Sequence, residues 1–264
     1  MPTFEILCAT MHQNDFSKIK EMNIHSDVVF ANQCDHTSYD EIEFEGHTAK
    51  MISTQTRGVG KNRNLGLIYA SADICLLADD DVVYNDGYEK TVLDFYKKNP
   101  DADVVVFNFK VSRNGSEPKD IIRKTKKLKS KKLSYGTYAI SFKRSSIDWH
   151  NIRFHHYFGG GTLYSCGEDS KFLNDCFENK LNIYVCSDNI GLVNHKESTW
   201  FDGITDKFLI DKGILFYSLM GKFATPALFY HCFKHRREYS RLGWRKSFDR
   251  MVQGVKHRKW IDKG

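Results

Sequence analysis

An α/β fold, built on a mixed, mostly parallel central sheet and followed by a C-terminal helical extension, is what this sequence predicts. Three observations carry it. The run Ile74-Cys75-Leu76-Leu77-Ala78 is apolar enough for a strand buried on both faces, and it stops abruptly in Asp79-Asp80-Asp81. The N-terminal part alternates short apolar runs with helix-like ones, the rhythm of parallel sheets whose carboxyl edge collects loops. From Ile204 to Lys259 the pattern is helical. At 264 residues the chain has room for one large domain with an appendage. The division expected is 1–203 for the sheet domain and 204–264 for a basic helical extension.

Taken in order, Phe4 to Ala9 predicts the first strand, and the polar turn Thr10 to Asp15 caps a helix over Phe16 to Met22. Asp27 to Ala31 predicts a second strand ending in Asn32-Gln33-Cys34-Asp35. Glu41 to Thr54 reads as a short peripheral strand pair. Arg57-Gly58-Val59-Gly60-Lys61-Asn62-Arg63-Asn64 then opens a helix, with Leu65, Ile68, Tyr69 and Ala72 at the spacing of a buried face. Its glycine-rich, basic start suits an anion. It lacks the further glycine of a dinucleotide fingerprint and the G-K-[ST] ending of a P-loop, so neither site is supported.

After the apolar run, strand alternation puts Asp79 and Asp81 on one face. Carboxylates that close repel unless a cation lies between them, and oxygen ligands favour Mg2+ or Mn2+. Without a cation the triplet reads as a solvated acidic turn. Asp86 to Lys98 predicts a surface helix and Asp103 to Phe109 a buried strand. Arg113 to Ser134, with the basic run Arg123 to Lys132, predicts a mobile or partly helical loop. Tyr138 to Phe142 resumes as a strand. Phe154-His155-His156-Tyr157-Phe158 and Gly159-Gly160-Gly161 lead to Glu168-Asp169-Ser170, where a helix begins; acidic residues there have an ordinary explanation in the helix dipole. Asn182 to Cys186 and Ile190 to Val193 predict two short strands, the second followed by Asn194-His195. Helices are expected over Phe208 to Met220, Pro226 to Phe233 and Lys234 to Lys259.

The net charge of +6 is concentrated in the Arg123 to Lys132 run and in the last segment. There Arg236, Arg237, Arg245, Lys246 and Arg250 interleave with Tyr239, Trp244 and Phe248, which suits the headgroup region of an anionic bilayer or a helix packed on its own domain. Gly213 to Phe233 is interrupted by Lys222, Pro226 and His231, too soon for a membrane span. The seven cysteines include no C-x-x-C pair, and the N-terminus shows no signal-peptide pattern, so free thiols and a cytoplasmic location are expected. The basic residues join no recognisable nucleic-acid-binding module, so no nucleic-acid partner is expected.

The ordered set of motifs resembles the family 2 glycosyltransferases, which use the GT-A nucleotide-sugar-binding fold. It comprises the opening strand, Arg63-Asn64-Leu65-Gly66, the Asp79-Asp80-Asp81 cluster, Gly167-Glu168-Asp169, and His195 before Ser198-Thr199-Trp200. Trp200-Phe201-Asp202-Gly203 is similar to a stretch in bacterial enzymes of capsule, exopolysaccharide or O-antigen assembly. The resemblance implies that Thr10, Met11 and Asp35 hold the uridine of a UDP-sugar and that Arg63 lies against the base or diphosphate. Asp79 and Asp81 fill the DxD motif, with Asp81 on the metal, Asp79 nearer the ribose or sugar, and Asp80 beside the donor. His195 completes the metal sphere. Asp169 is implied as the general base and Glu168 as an orienting or acceptor-binding group. Ala78 stands where many relatives carry a further aspartate.

The implied activity is inverting, Mn2+- or Mg2+-dependent transfer from a UDP-sugar to a lipid-linked oligosaccharide, by an enzyme resting on the inner face of the cell membrane. The lipid-linked acceptor would explain both basic regions. A nucleotidyltransferase is the competing expectation, disfavoured by the lack of a G-x-G-x-R triphosphate loop. A basic nucleic-acid-binding protein is a third, requiring strongly salt-dependent affinity and indifference to UDP.

Overall fold

The computed structural model of the chain describes residues 2–113, 117–129, 134–195, 203–240 and 242–257. The strands are β1 (Phe4–Met11), β2 (Asp27–Gln33), β3 (Ser38–Phe44), β4 (His47–Thr54), β5 (Ile74–Asp79), β6 (Val82–Tyr84), β7 (Val104–Arg113), β8 (Lys119–Asp120), β9 (Lys126–Lys127), β10 (Ile140–Lys143) and β11 (Ile183–His195). The helices are α1 (Lys18–Glu21), α2 (Val59–Tyr69), α3 (Tyr88–Lys98), α4 (Arg144–Trp149), α5 (Glu168–Glu178), α6 (Asp206–Met220), α7 (Ala224–Lys234) and α8 (Trp244–Lys256).

All strands join one sheet in the order β3-β4-β2-β1-β5-β10-β7-β11-β6, with β8 added to β7 and β9 to β11. Strands β4, β2, β1 and β5 run parallel, and antiparallel β10 links them to the parallel pair β7 and β11. The expected α/β class is therefore the one adopted. Ile74, Cys75, Leu76 and Leu77 of β5 and Val104 to Phe107 of β7 are buried and belong to one core cluster, as central strands of such a sheet do.

Several local expectations are corrected. Helix α1 is a single turn: the Asp15 carboxylate accepts the Ser17 amide at 2.9 Å and delays the start, and Asn23, at φ 54°, ends it. Strand β5 stops at Asp79, and Asp80 and Asp81 form the turn into β6, so strand alternation does not place Asp79 and Asp81 on one face. The β3–β4 pair is not wholly peripheral, since β4 lies parallel to β2 and only β3 is the edge. The basic segment is extended where it is described, with Lys126 and Lys127 paired to β11 and the Lys127 ammonium 2.9 Å from Asp101; residues 130–133 lie outside the described residues.

Strand β11 is one strand where two were expected. Its polar middle stays in the sheet because Asn85 and Asn108 donate to the Asn189 and Ser187 carbonyls, at 3.1 and 3.4 Å, while its register against β7 shifts on either side of Asn189. The strand expected from Tyr138 begins only at Ile140, after a 3-10 turn over Thr137–Ala139. Among the described residues after α7, the helix runs from Trp244 to Lys256.

Helices α6, α7 and α8 bury Leu209, Leu228, Cys232, Tyr239 and Met251 among themselves. Gly213 and Gly254 let α6 and α8 touch backbone to backbone: a Cβ at either would overlap the carbonyl of Met251 or of Ile210. A second cluster, Phe158, Tyr164, Ile214 and Leu215, joins α6 to the loop before α5. Among the described residues no helix is long and apolar enough to cross a membrane.

Candidate active site

The carboxyl ends of β1 and β5, the start of α2, the loop before α5 and one face of α6 surround a cleft of about 1010 Å³. Thr10, Met11, Arg63, Asp79, Asp80, Asp81, Glu168 and Asp169 all line it. Parallel pairing explains the convergence. Asp79 lies opposite Ala9 in the β1–β5 register, so the acidic turn leaves the sheet beside Thr10. The Thr10 hydroxyl donates to Asp80 Oδ2 at 2.5 Å, and Lys18 donates to the Asp80 carbonyl at 3.3 Å.

Helix α2 is set by polar rather than apolar contacts. Asn62 donates to the carbonyls of Thr10 and Ala31, at 3.2 and 2.7 Å, pinning the ends of β1 and β2. Asn64 brackets Phe154 with bonds to both its amide and its carbonyl at 2.8 Å. Gly58, at φ 111°, donates to Gln33 Oε1 at 2.9 Å, and a Cβ on Gly60 would stand 2.5 Å from the His155 carbonyl oxygen. The buried face is thus Gly60, Asn62, Arg63, Asn64, Gly66 and Leu67; Ile68, expected inside, is 71% exposed. An apolar-spacing rule fails where a helix packs against strand ends, whose carbonyls need donors and whose approach needs glycines.

Arg63 spans the cleft. One terminal nitrogen donates to Asp79 Oδ1 at 2.7 Å and the other to Glu168 Oε1 at 2.8 Å, with the guanidinium 5.5 Å above the Phe154 ring. Burial works against its charge, but Asp79 and Glu168 outweigh that and raise its pKa. For Asp79 burial prevails over Arg63, and with the neighbouring Asp81 and Glu168 charges it pushes the carboxyl upward. Asp169, in the first turn of α5, is pushed up to about 7 by burial and by Glu168 beside it. Two acidic groups with different environments therefore face one cleft.

The donor set of the acidic turn fits a hard divalent cation: Asp79 and Asp81 are oxygen ligands, the Asp81 charge helps push the Asp79 carboxyl upward, and a cation between them would relieve that. Among the described residues the three potential ligands that already converge are others, Cys34, Asp35 and His36, whose ligand atoms lie within 4.8 Å of one another. Asp35, expected at the uridine, sits on that exposed corner with its carboxylate 3.0 Å from His36 Nδ1 and does not line the cleft. His195 ends β11, where its backbone pairs with Arg113; its side chain lies outside the described residues, as do Ser198, Thr199 and Trp200.

Sequence reading missed the opposite wall. Phe208, Lys212 and Leu215 of α6, with Ser165 and Cys166, also line the cleft. Gly167, at φ 101°, accommodates α6, since a Cβ there would overlap the Leu215 side chain. No local pattern sets Lys212 apart, since α6 also carries Asp206, Lys207 and Asp211.

A sheet that gathers carboxylates and an arginine at the carboxyl ends of its parallel strands defines a nucleotide-binding α/β enzyme. The family model described as glycosyl transferase family 2 matches residues 34–168, just over half of the chain, and the chain belongs to that family. It is a glycosyltransferase. No curated protein matches it. Among solved structures it is similar to S. aureus TarS 1-349 in complex with UDP-GlcNAc, at 16% identity and TM-score 0.61, over 83% of this chain and 67% of that one. It is also similar to S. aureus TarS 1-349 in complex with UDP, at 16% identity and TM-score 0.59, over 83% of this chain and 66% of that one. For the S. aureus TarS crystal structure without the 1-349 limit, the values are 16%, 0.57, 83% and 40%. The chain thus spans about two thirds or less of these relatives, and the likeness establishes a GT-A-like fold.

Proposed function

We propose that this glycosyltransferase moves a sugar from a UDP-sugar to a hydroxyl of a lipid-linked oligosaccharide, with inversion, in bacterial surface polysaccharide synthesis. The observation that carries the reading is the buried Arg63 bridge, which sets Asp79 of the acidic turn and Glu168 beside Asp169 on opposite sides of one cleft. The S. aureus TarS structures that share the fold hold UDP-GlcNAc and UDP, which supports a UDP-sugar as donor.

In this reading Thr10 and Met11 face the nucleotide, with Asp80 held by Thr10. Asp79 and Asp81 would hold Mn2+ or Mg2+, which when bound stabilises the charge of the departing diphosphate as a Lewis acid. Val193, two residues before His195, lies opposite Val82 in antiparallel register, and His195 would complete the metal sphere. On the other side Asp169 takes the proton of the acceptor hydroxyl. The hydroxyl oxygen then attacks the anomeric carbon from the face opposite UDP, and the carbon–oxygen bond to the diphosphate breaks with its electron pair leaving on UDP. A base with a pKa of about 7 is matched to neutral solution.

Residues 204–264 serve here as an extension that completes the acceptor wall and meets the membrane. Phe223, Phe229, Tyr230 and Phe233 are exposed beside Lys222, Lys234, Arg236 and Arg245, a set suited to an anionic headgroup layer at the inner face of the cell membrane. The test is UDP binding and UDP release across a panel of UDP-sugars, with and without Mn2+ or Mg2+. Metal-dependent UDP release from one donor is expected, and absence of any UDP binding would overturn the reading.

A further inference from the structure

We infer that Lys212 is the binding group for an anionic substituent of the acceptor, a phosphate or a carboxylate, held in the half of the cleft facing Asp169. The inference rests on the glycosyltransferase reading above and adds the charge class of its second substrate.

Lys212 projects from α6 into the cleft wall beside Phe208 and Leu215. Among the described residues it has no carboxylate partner within ion-pair distance. Its ammonium donates to the Tyr239 hydroxyl at 3.2 Å and lies 5.5 and 5.8 Å from the Phe208 and Tyr239 ring centres. Asp211 beside it in sequence and Glu238, whose charge it feels, are committed elsewhere. Asp211 accepts from Ser165 at 2.9 Å and pairs with Lys207 at 2.5 Å, and Glu238 pairs with His235 at 2.7 Å. His231 adds no negative charge: its Nε2 lies 2.8 Å from the Tyr239 hydroxyl, and burial lowers its pKa to about 4.

A half-buried ammonium held by aromatic faces and one hydroxyl is an expensive group to keep. Burial lowers its own pKa, and Glu238, which makes no ion pair with it, offsets this only in part. If packing alone mattered, an uncharged chain of the same length would serve better, so the charge points to a ligand that supplies the missing anion. Its location says which ligand. The Cys166 thiol feels both the Lys212 charge and those of Glu168 and Asp169, so lysine and proposed base flank the same short stretch of the wall. The donor's diphosphate belongs to the acidic turn across the Arg63 bridge, which leaves the acceptor as the anionic partner.

Two sources share this chemistry: a phosphate, such as that joining a glycan to a lipid carrier, and the carboxylate of an acidic sugar in the glycan. Competition binding separates them. Full-length protein saturated with UDP is titrated with a hexose phosphate, with a methyl hexuronide and with the matching neutral methyl hexoside. Wild type is expected to bind one or both anionic probes and to prefer them to the neutral one, and Lys212→Met to lose about tenfold or more of that preference while its UDP affinity is unchanged. Lys212→Arg is expected to retain the preference. The probe that wins identifies phosphate or carboxylate. Thermal unfolding is read in parallel: removal of an uncompensated charge should leave K212M at least as stable as wild type, whereas a structural lysine would lower its stability without changing probe selectivity. Equal binding of charged and neutral probes by wild type overturns the inference, as does K212M weakening UDP instead, which would place Lys212 in the donor site. Failure of wild type to bind UDP at all would strike the reading of the donor site itself.

Discussion

A carboxyl with a pKa of about 7 is half ionised at neutral pH, and Asp169 owes this to burial and to the charge of Glu168 one residue before it. Asp169→Asn is expected to lower kcat by about a hundred- to ten-thousandfold with UDP affinity retained, and kcat in wild type to rise with pH through about 7. Activity of the variant within a few fold of wild type would reduce Asp169 to a helix-start residue. The same shift has a stability cost of definite sign. A folded-state pKa raised above the unfolded value costs nothing below the unfolded pKa of 3.8, and it costs progressively more stability as pH rises from there through about 7. D169N should therefore match wild type in thermal unfolding near pH 4 and exceed it near pH 8, by the order of a few kcal/mol. Arg63 is the counterpart. Arg63→Met strands Asp79 and Glu168 without their shared cation, and denaturant unfolding should show a loss of about 3–5 kcal/mol. Lysine cannot reach both carboxylates at once, so Arg63→Lys should be only a partial rescue.

The apolar strands were legible in the sequence because burial on both faces leaves an unbroken signal, as in Ile74 to Ala78 and Val104 to Phe107. So were the Asp79-Asp80-Asp81 turn and the start of α5 at Glu168, each marked by an abrupt change from small or apolar residues to acidic ones. The inner face of α2 was not. Its contacts are hydrogen bonds from Asn62 and Asn64 to strand ends and a loop, so its polar side faces inward and periodicity chose the wrong one. The second wall of the cleft was hidden for a different reason: α6 lies far from β5 in sequence, and no local pattern announces that its Lys212 and Phe208 return to the site. Helix α2 offers a test of how tightly that inner face is specified. Gly60→Ala sets a methyl group 2.5 Å from a backbone oxygen of the His155 loop, which cannot move aside as a side chain can. The helix should shift, with a loss of about 1–3 kcal/mol in denaturant unfolding. Because Asn62 and Arg63 move with it, UDP binding should weaken as well, whereas Gly87→Ala, at φ 73° with open space around its Cβ, should cost stability through its backbone alone and leave UDP binding intact.

At the level of the whole molecule, the positive charge divides between an edge of the sheet and the C-terminal helices, and the two differ in what they expose. Lys126 and Lys127 are held in β9 against β11, whereas α8 buries Ser247, Met251 and Gly254 against its neighbours and leaves Arg245, Lys246 and Lys256 outside. Truncation after Phe233 would strip Tyr239 and Met251 from the cluster around Leu209, so loss of UDP binding in such a fragment would report unfolding rather than membrane contact. Point substitutions on the outer face of α7 avoid this. Phe229 and Phe233 are each 52% exposed, and Tyr230 is 65% exposed. Lys234 and Arg236 stand over the Tyr230 and Phe233 rings. In water this face gains little; at an anionic surface the rings leave water while the cations stay among the headgroups. Phe229→Ser with Phe233→Ser should therefore reduce sedimentation with vesicles of mixed phosphatidylglycerol and phosphatidylcholine by about tenfold or more, since each buried ring contributes roughly 1.5–3 kcal/mol. UDP affinity should stay close to wild type, while thermal stability should fall modestly, because the inner halves of both rings lie edge-on to Trp244 and that of Phe229 to Phe248 as well. Wild-type binding should fall as salt is raised from about 0.05 to 0.5 M, the range in which charges at a surface are screened. Vesicle binding that is equal in the double variant and wild type would remove α7 from the membrane contact.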